Sequence, residues 1–246
     1  MNRFLPIILM ITFKFHDNLI AQSKLNSLLF KNNLAYFEGN VNKLDFLSQI
    51  NFDHQDSISD FSISYRIFYG ELNLKKNNLE HQVFVNYDYM YKSLLSPFIG
   101  LSSFSNEFKG FKVRNNLLLG VKWSIFNSSK SNFSISAALT AEYNKFSTDP
   151  LNINVSKNEN YLIRYSFRPK FKFTIFQFEF FNETFYQPNT ILLNDYIIQS
   201  RSDINYSLSK KVALLISYIF YYNNQPAFST LKKRDQKLML GIEFKL

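Results

Sequence analysis

Three histidines, His16, His54 and His81, are the side chains in this sequence best suited to proton transfer or metal ligation, and their spacing supports neither. No two lie at ligand spacing, and the chain has no cysteine, so no zinc site and no other metal is expected. Six glycines are too few for a phosphate-cradling loop, so no cofactor is expected either. A serine nucleophile would need a hydroxyl beside His54 or His81, with a polar group behind it. Ser62 and Ser64 come nearest to His81 in neighbouring segments, but by phase they point to the opposite face. No catalytic residue is expected.

The other residues with chemistry to offer are charges that recur at every second position. Arg164, Arg168, Lys170 and Lys172 alternate with Tyr165, Phe167 and Phe171; Arg114, Glu179, Glu183, Arg201 and Asp203 lie in segments of the same kind. Charges along one side of a wall can form a paired, water-poor plug, because buried charges persist only when paired. They can equally form rings that set the selectivity of a narrow pore. By phase the basic set is Arg66, Lys112, Arg114, Lys122, Arg164, Arg168, Lys170, Lys172, Arg201, Lys237 and Lys245. The acidic set is Asp45, Asp88, Glu142, Glu179, Glu183, Asp203 and Glu243, giving 11 cations against 7 anions and a mild preference for anions in any pore.

Period-two alternation is the strand signal, and it runs through the whole body of the chain. Leu238, Leu240, Ile242, Phe244 and Leu246 fall on one face, against Lys237, Met239, Gly241, Glu243 and Lys245 on the other. Twelve such segments can be counted, at roughly 33–41, 43–53, 59–69, 79–91, 96–106, 111–126, 131–145, 159–173, 175–187, 194–208, 211–223 and 233–246. They exceed the ~5–6 residues of soluble strands and match the ~9–11 of tilted membrane strands. The apolar face carries far more Phe and Tyr than one sandwich core could absorb. These features predict an all-β chain folded as a single antiparallel up-and-down transmembrane β-barrel of twelve strands, apolar outside and polar inside. Closure would pair every backbone group and leave no edge. Short connections at residues 127–130, 174 and 209–210 alternate with longer ones at 70–78, 146–158, 188–193 and 224–232, as a barrel with both termini in the periplasm requires.

The amino terminus gives the address. Met1, Asn2 and Arg3 precede an almost wholly apolar run from Phe4 to Phe13, and Ala21 supplies a small residue for cleavage, so residues 1–21 read as a secretory signal peptide. Residues 22–32 are then expected to be a short periplasmic segment and 33–246 the barrel. Cleavage removes Arg3, Lys14 and Asp17 and lowers the net charge from +9 to +8. The cations are dispersed and interleaved with acids, so no nucleic-acid partner is expected. An aromatic content of 18% excludes disorder. Export without cysteines fits a bacterial outer-membrane protein stabilised by something other than disulfides.

The carboxyl end resembles the assembly signal by which outer-membrane barrels engage the barrel-assembly machinery, with Gly241, Phe244 and Leu246 in place. Residues 39–42 (Gly-Asn-Val-Asn), residues 96–101 (Ser-Pro-Phe-Ile-Gly-Leu), Phe111 to Arg114 with residues 119–121 (Leu-Gly-Val), and the run from Gln225 and Pro226 through residues 232–235 to Phe244 resemble the YdiY-like family. These are barrel proteins of unknown function, also called salt-induced outer-membrane proteins. The resemblance implies an outer-membrane barrel and carries over no activity and no site residues.

Cations at Lys75, Lys76, Lys109, Lys145, Lys157, Lys232, Lys233 and Arg234 are expected at the outer rim, the last three in reach of phosphates of lipopolysaccharide and other outer-membrane lipids. The expected role is a structural barrel or a narrow small-solute or ion barrel with a charged lumen. A lipid-acting hydrolase on the membrane-facing wall is the alternative.

Overall fold

The computed structural model describes residues 25–37, 43–128, 130–147, 159–226 and 231–245. The expected signal peptide, Lys157 of the expected rim cations, Leu246 and residues 39–42 of the family resemblance lie outside this range. Alternation builds the wall from β1 (Leu25–Phe37), β2 (Lys43–Gln55), β3 (Ser59–Leu72), β4 (Lys75–Tyr89), β5 (Leu95–Asn106), β6 (Phe111–Asn127), β7 (Ser131–Phe146), β8 (Glu159–Ile175), β9 (Phe178–Pro188), β10 (Tyr196–Ser207), β11 (Val212–Asn223) and β12 (Arg234–Lys245). Each strand pairs antiparallel with the next and β12 returns to β1, so the sheet closes into the twelve-stranded barrel that the alternation predicts. The end that carries both chain termini is called proximal below, and the opposite end distal.

Burial follows the pleat. Leu238 and Leu240 on β12 are 60% and 63% exposed, whereas Met239 between them is 1% exposed. Met239, Leu47 and Phe68 meet inside the barrel with Ala35 and Ile219 packed against them, so part of the lumen is an apolar core rather than a water column. Outward positions are Leu, Ile, Val, Phe and Tyr almost throughout, leaving a continuous apolar exterior.

Three expectations are corrected. First, β1 starts at Leu25 and pairs with β2 from Leu25↔Gln55 onward, so residues 25–32 belong to the wall instead of a separate periplasmic segment. Second, the long connection expected at 70–78 is a tight hairpin. Strands β3 and β4 run on to Leu72 and from Lys75, and Asn73 and Leu74 take positive φ values of 51° and 63°. Two successive positive-φ residues match the twist of flanking strands, as in a type I′ turn. Third, a bulge between Phe111 and Val113 resets the phase of β6. It leaves Lys112 unpaired and exposed, and it turns both Phe111 and Arg114 inward.

The closing seam is specified by fit. Gly241 faces Asn33, which is 1% exposed, and a Cβ on Gly241 would overlap the Asn33 side chain and the Asn32 carbonyl. Glycine in the final strand is thus a requirement of close approach. Phe244, its companion in the assembly signal, points outward and is 42% exposed.

Candidate functional site

The inward charges separate into groups at three heights of the lumen. At the distal end β6, β7 and β8 bring together Arg114, Glu142 and Arg164. Arg114 Nε donates to Asn144 (2.7 Å) and its Nη2 lies 3.7 Å from Glu142, whose other oxygen accepts from Arg164 Nε at 3.3 Å. Arg164 then reaches the β9–β10 connection. Its Nη2 binds the Asp195 carboxylate at 3.0 Å, and its Nη1 donates to the Asp195 carbonyl at 3.0 Å. Arg164 and Glu142 are 3% and 4% exposed, so the cluster is a buried, fully engaged network.

A second device crosses the distal mouth. The β5–β6 connection forms one 3₁₀ turn, Glu107–Lys109, capped by Asn106 and ended by Gly110 at a φ of 83°. Lys109 Nζ contacts Glu80 on β4 at 3.0 Å and Asp235 on β12 at 4.0 Å, and it lies 4.8 Å from the centre of the Tyr221 ring on β11. One side chain therefore ties opposite walls together. Burial disfavours the ammonium, but the Glu80 carboxylate by charge and hydrogen bond, together with Tyr221 and Asp235, more than offsets this, so the Lys109 pKa stands above the ordinary lysine value. Lys109, expected among the outer-rim cations, instead turns into the lumen.

At mid-height Arg201 pairs with Asp203 at 2.9 Å, and Lys31 on β1, three strands round the wall, reaches Asp203 at 3.4 Å and Glu243 at 2.8 Å. Ser217 donates to Asp203 (2.8 Å), and Asn33 donates to Ser217 (3.2 Å). Arg201 also donates to Gln49 on β2, which narrows the passage at this level. Among the described residues Arg66 has only an amide partner, the Gln82 oxygen at 3.2 Å, and its Nε finds no acceptor. Lys237 lies over the Phe68 ring, 3.1 Å from its centre.

Toward the proximal end the pairing loosens. Lys172 binds Glu179 at 2.7 Å but is half exposed, as is Lys245 beside Glu243. Arg168 lies 3.7 Å from Glu183 and is flanked by the rings of Phe98 and Phe185 at 5.5 Å and 5.4 Å. Lys170 forms no ion pair among the described residues; its ammonium lies 5.7 Å from the Phe181 ring centre. Lys122 pairs with Asp88.

Arg114, Arg164, Arg168, Lys170, Lys172, Glu179, Glu183, Arg201 and Asp203 are thus on the inner face, whereas Lys112, expected with them, is turned out by the bulge in β6. The structure joins Arg114 to Arg164 through Glu142, Arg168 to Glu183, Lys172 to Glu179, and Arg201 to Asp203, and leaves Lys170 apart. Phase reasoning missed Lys31, Asp195 and Lys109. Lys31 was legible, since it shares a face with Asn33 and alternates with Phe30 and Asn32, but the apolar run from Leu28 to Phe30 obscures the period. Asp195 and Lys109 lie in connections, where no periodicity operates.

Lys232, Lys233 and Arg234 are exposed at the distal rim, and among the described residues Lys233 Nζ reaches only the Asn224 side-chain oxygen at 3.4 Å. His81 faces outward and its Nδ1 is held by the Tyr65 hydroxyl at 2.9 Å, while Ser64 faces inward and accepts from Gln49. The Ser–His pairing that a hydrolase would need from these residues does not form.

A family model described as "Protein of unknown function, DUF481" matches residues 34–245. The chain belongs to this family. No curated relative matches the sequence. Among solved structures, the NanC porin is similar with a TM-score of 0.55 at 12% identity, over 90% of this chain and 100% of that one. That likeness shows a porin-like barrel fold. The KdgM porin aligns at a TM-score of 0.44 and 12% identity over 89% of this chain and 98% of its own. An anion-selective porin from Comamonas acidovorans aligns at 0.41 and 9% over 91% and 99%. The DUF481 chain is thus a transmembrane barrel of porin-like fold, the architecture of an outer-membrane protein.

Proposed function

We propose that this DUF481 barrel is a narrow outer-membrane channel for small anions, exported by cleavage of residues 1–21 and closely related to the YdiY-like, salt-induced proteins. One observation carries the reading: three lumen cations hold no ion pair among the described residues, against two inward carboxylates, Asp53 and Asp60, in the same position. Asp45, Glu80, Asp88, Glu142, Glu179, Asp203 and Glu243 each hold a lysine or arginine within ion-pair distance, whereas Arg66, Lys170 and Lys237 face amides or aromatic rings. Aromatic faces hold a cation without cancelling its charge for a passing ion. Unneutralised cations along a narrow lumen favour anion entry. The cross-lumen contacts of Arg201 and Lys109 keep the passage tight, so conductance is small. The rim cations Lys232, Lys233 and Arg234 supply contacts to lipid phosphates, and β12 with Gly241 and Phe244 is the segment presented to the barrel-assembly machinery.

Planar-bilayer recording under a chloride-salt gradient tests this. Small steps with a reversal potential toward that of chloride are expected, and Lys170→Glu should move the reversal potential toward the cation's while leaving heat-modifiable gel mobility unchanged. Cation selectivity in the parent chain, or no conductance in either chain, would overturn it.

A further inference from the structure

On the outer wall of the barrel, a groove of about 840 Å³ crosses the distal half of β4 to β8. A barrel exterior is convex, so an indentation needs a cause, and two are present. Small or short side chains form the floor: Ser103 pairs with Asn115, and Ala141 lies between Leu117 and Ile163 in register. A wall overhangs that floor because β9 stops short of β8. Where β9 ends, Thr190 donates to the Ile163 carbonyl through both its amide and its hydroxyl at 3.0 Å, so that Ile191 and Leu192 line the groove. The connection is pinned from inside by the buried Arg164–Asp195 pair, which makes the overhang a rigid part of the fold.

The overhang presents Ile191, Leu192 and Leu193 at 87%, 58% and 64% exposure, three consecutive aliphatic side chains with no protein cover. Such a run is costly in water and favourable in hydrocarbon. The Tyr143 and Tyr161 rings meet at 5.0 Å, tilted by 39°, on the distal side, where aromatic residues mark the headgroup level. Beyond them, on the strand that supplies Asn115 and Leu117, the bulge leaves Lys112 exposed and without an ion pair among the described residues.

We propose that this groove seats one acyl chain of lipid A, with a lipid phosphate held at Lys112. The apolar floor and overhang match a chain, the tyrosine pair marks where chain gives way to headgroup, and the free cation matches a phosphate. The distal half carries the outer-leaflet position when both termini are periplasmic, and lipid A is the phosphorylated lipid of that leaflet. The site rests on the barrel's spanning the membrane and is independent of whether the lumen conducts.

Native mass spectrometry of the refolded barrel in mild detergent, incubated with lipid A or with diacyl phosphatidylglycerol, tests it. Retention of one lipid A per barrel is expected, with phosphatidylglycerol removed by the same wash. Ala141→Trp, which fills the floor, should lower retention about tenfold, equivalent to ~1.4 kcal/mol. Lys112→Glu should lower it less, and Leu238→Trp on the opposite outer wall should leave it unchanged. Heat-modifiable mobility confirms the fold of each variant. Equal retention of both lipids, retention unaffected by Ala141→Trp, or barrel dimers in place of bound lipid would overturn the proposal.

Discussion

The two ends of the lumen use the same side-chain types to opposite effect. At the distal end Arg114, Arg164 and Lys109 are each met by carboxylates and amides, and almost no charged atom there reaches water. At the proximal end Lys170, Lys172 and Lys245 are half exposed or lack a carboxylate altogether. A buried pair is held in place by the cost of stranding either partner, whereas an open cation is free to meet an incoming ion. The distal charges are therefore structural, whereas Lys170, Lys172 and Lys245 are available to a solute; the closed Lys122–Asp88 pair is the proximal exception.

That contrast fails most visibly if the distal network can be cut without harm. Arg164→Met leaves Glu142 and Asp195 buried beside an apolar chain, and a loss of about 3–5 kcal/mol is expected in urea unfolding of the refolded barrel. The same substitution at the proximal Lys172 should change the unfolding midpoint little. A smaller effect, about 1–3 kcal/mol, is expected for Lys109→Ala, which orphans Glu80. Its more informative readout is electrical: with the tie between opposite walls gone, single-channel conductance should rise, and unchanged steps would mean that the mouth is limited elsewhere.

The smallest effect concerns a proximal turn. The Asp56 carboxylate accepts from the amides of Ser59 and Ile58 and from the Ser59 hydroxyl, and these bonds lower its pKa from 3.8 to about 2. A depressed carboxylate stabilises the turn above its ordinary value and loses that contribution as pH falls toward about 2. Amide exchange at Ile58 and Ser59 should therefore quicken over that range while the distal strand ends stay protected. Loss of protection at both ends together would show that acid acts on the barrel as a whole.

The strand count and the inner and outer faces of most segments were legible because a half-lipid, half-lumen wall imposes period two on every spanning residue. Arg168, Lys170 and Lys172 could be assigned to the lumen with no knowledge of their partners. Lys112 was placed on the inner face and lies outside it, since one bulged residue breaks the phase of β6 and leaves no mark in composition. The hairpin at Asn73 and Leu74 was hidden because Leu74 is an unusual residue for a positive φ. The groove on the outer wall was illegible for a different reason: it depends on Arg164 meeting Asp195, two residues 31 apart in sequence, one of them in a connection.

Gly241 opposite Asn33 also acts as a register key. The closing seam joins strands about two hundred residues apart in sequence, so it is the last contact whose loop entropy must be met. A slip of one residue would turn every lipid-facing side chain of β12 inward, and a slip of two would set Met239 or Glu243 where only a hydrogen fits against Asn33. One missing side chain in the final strand thereby rejects the nearest wrong closures of the barrel.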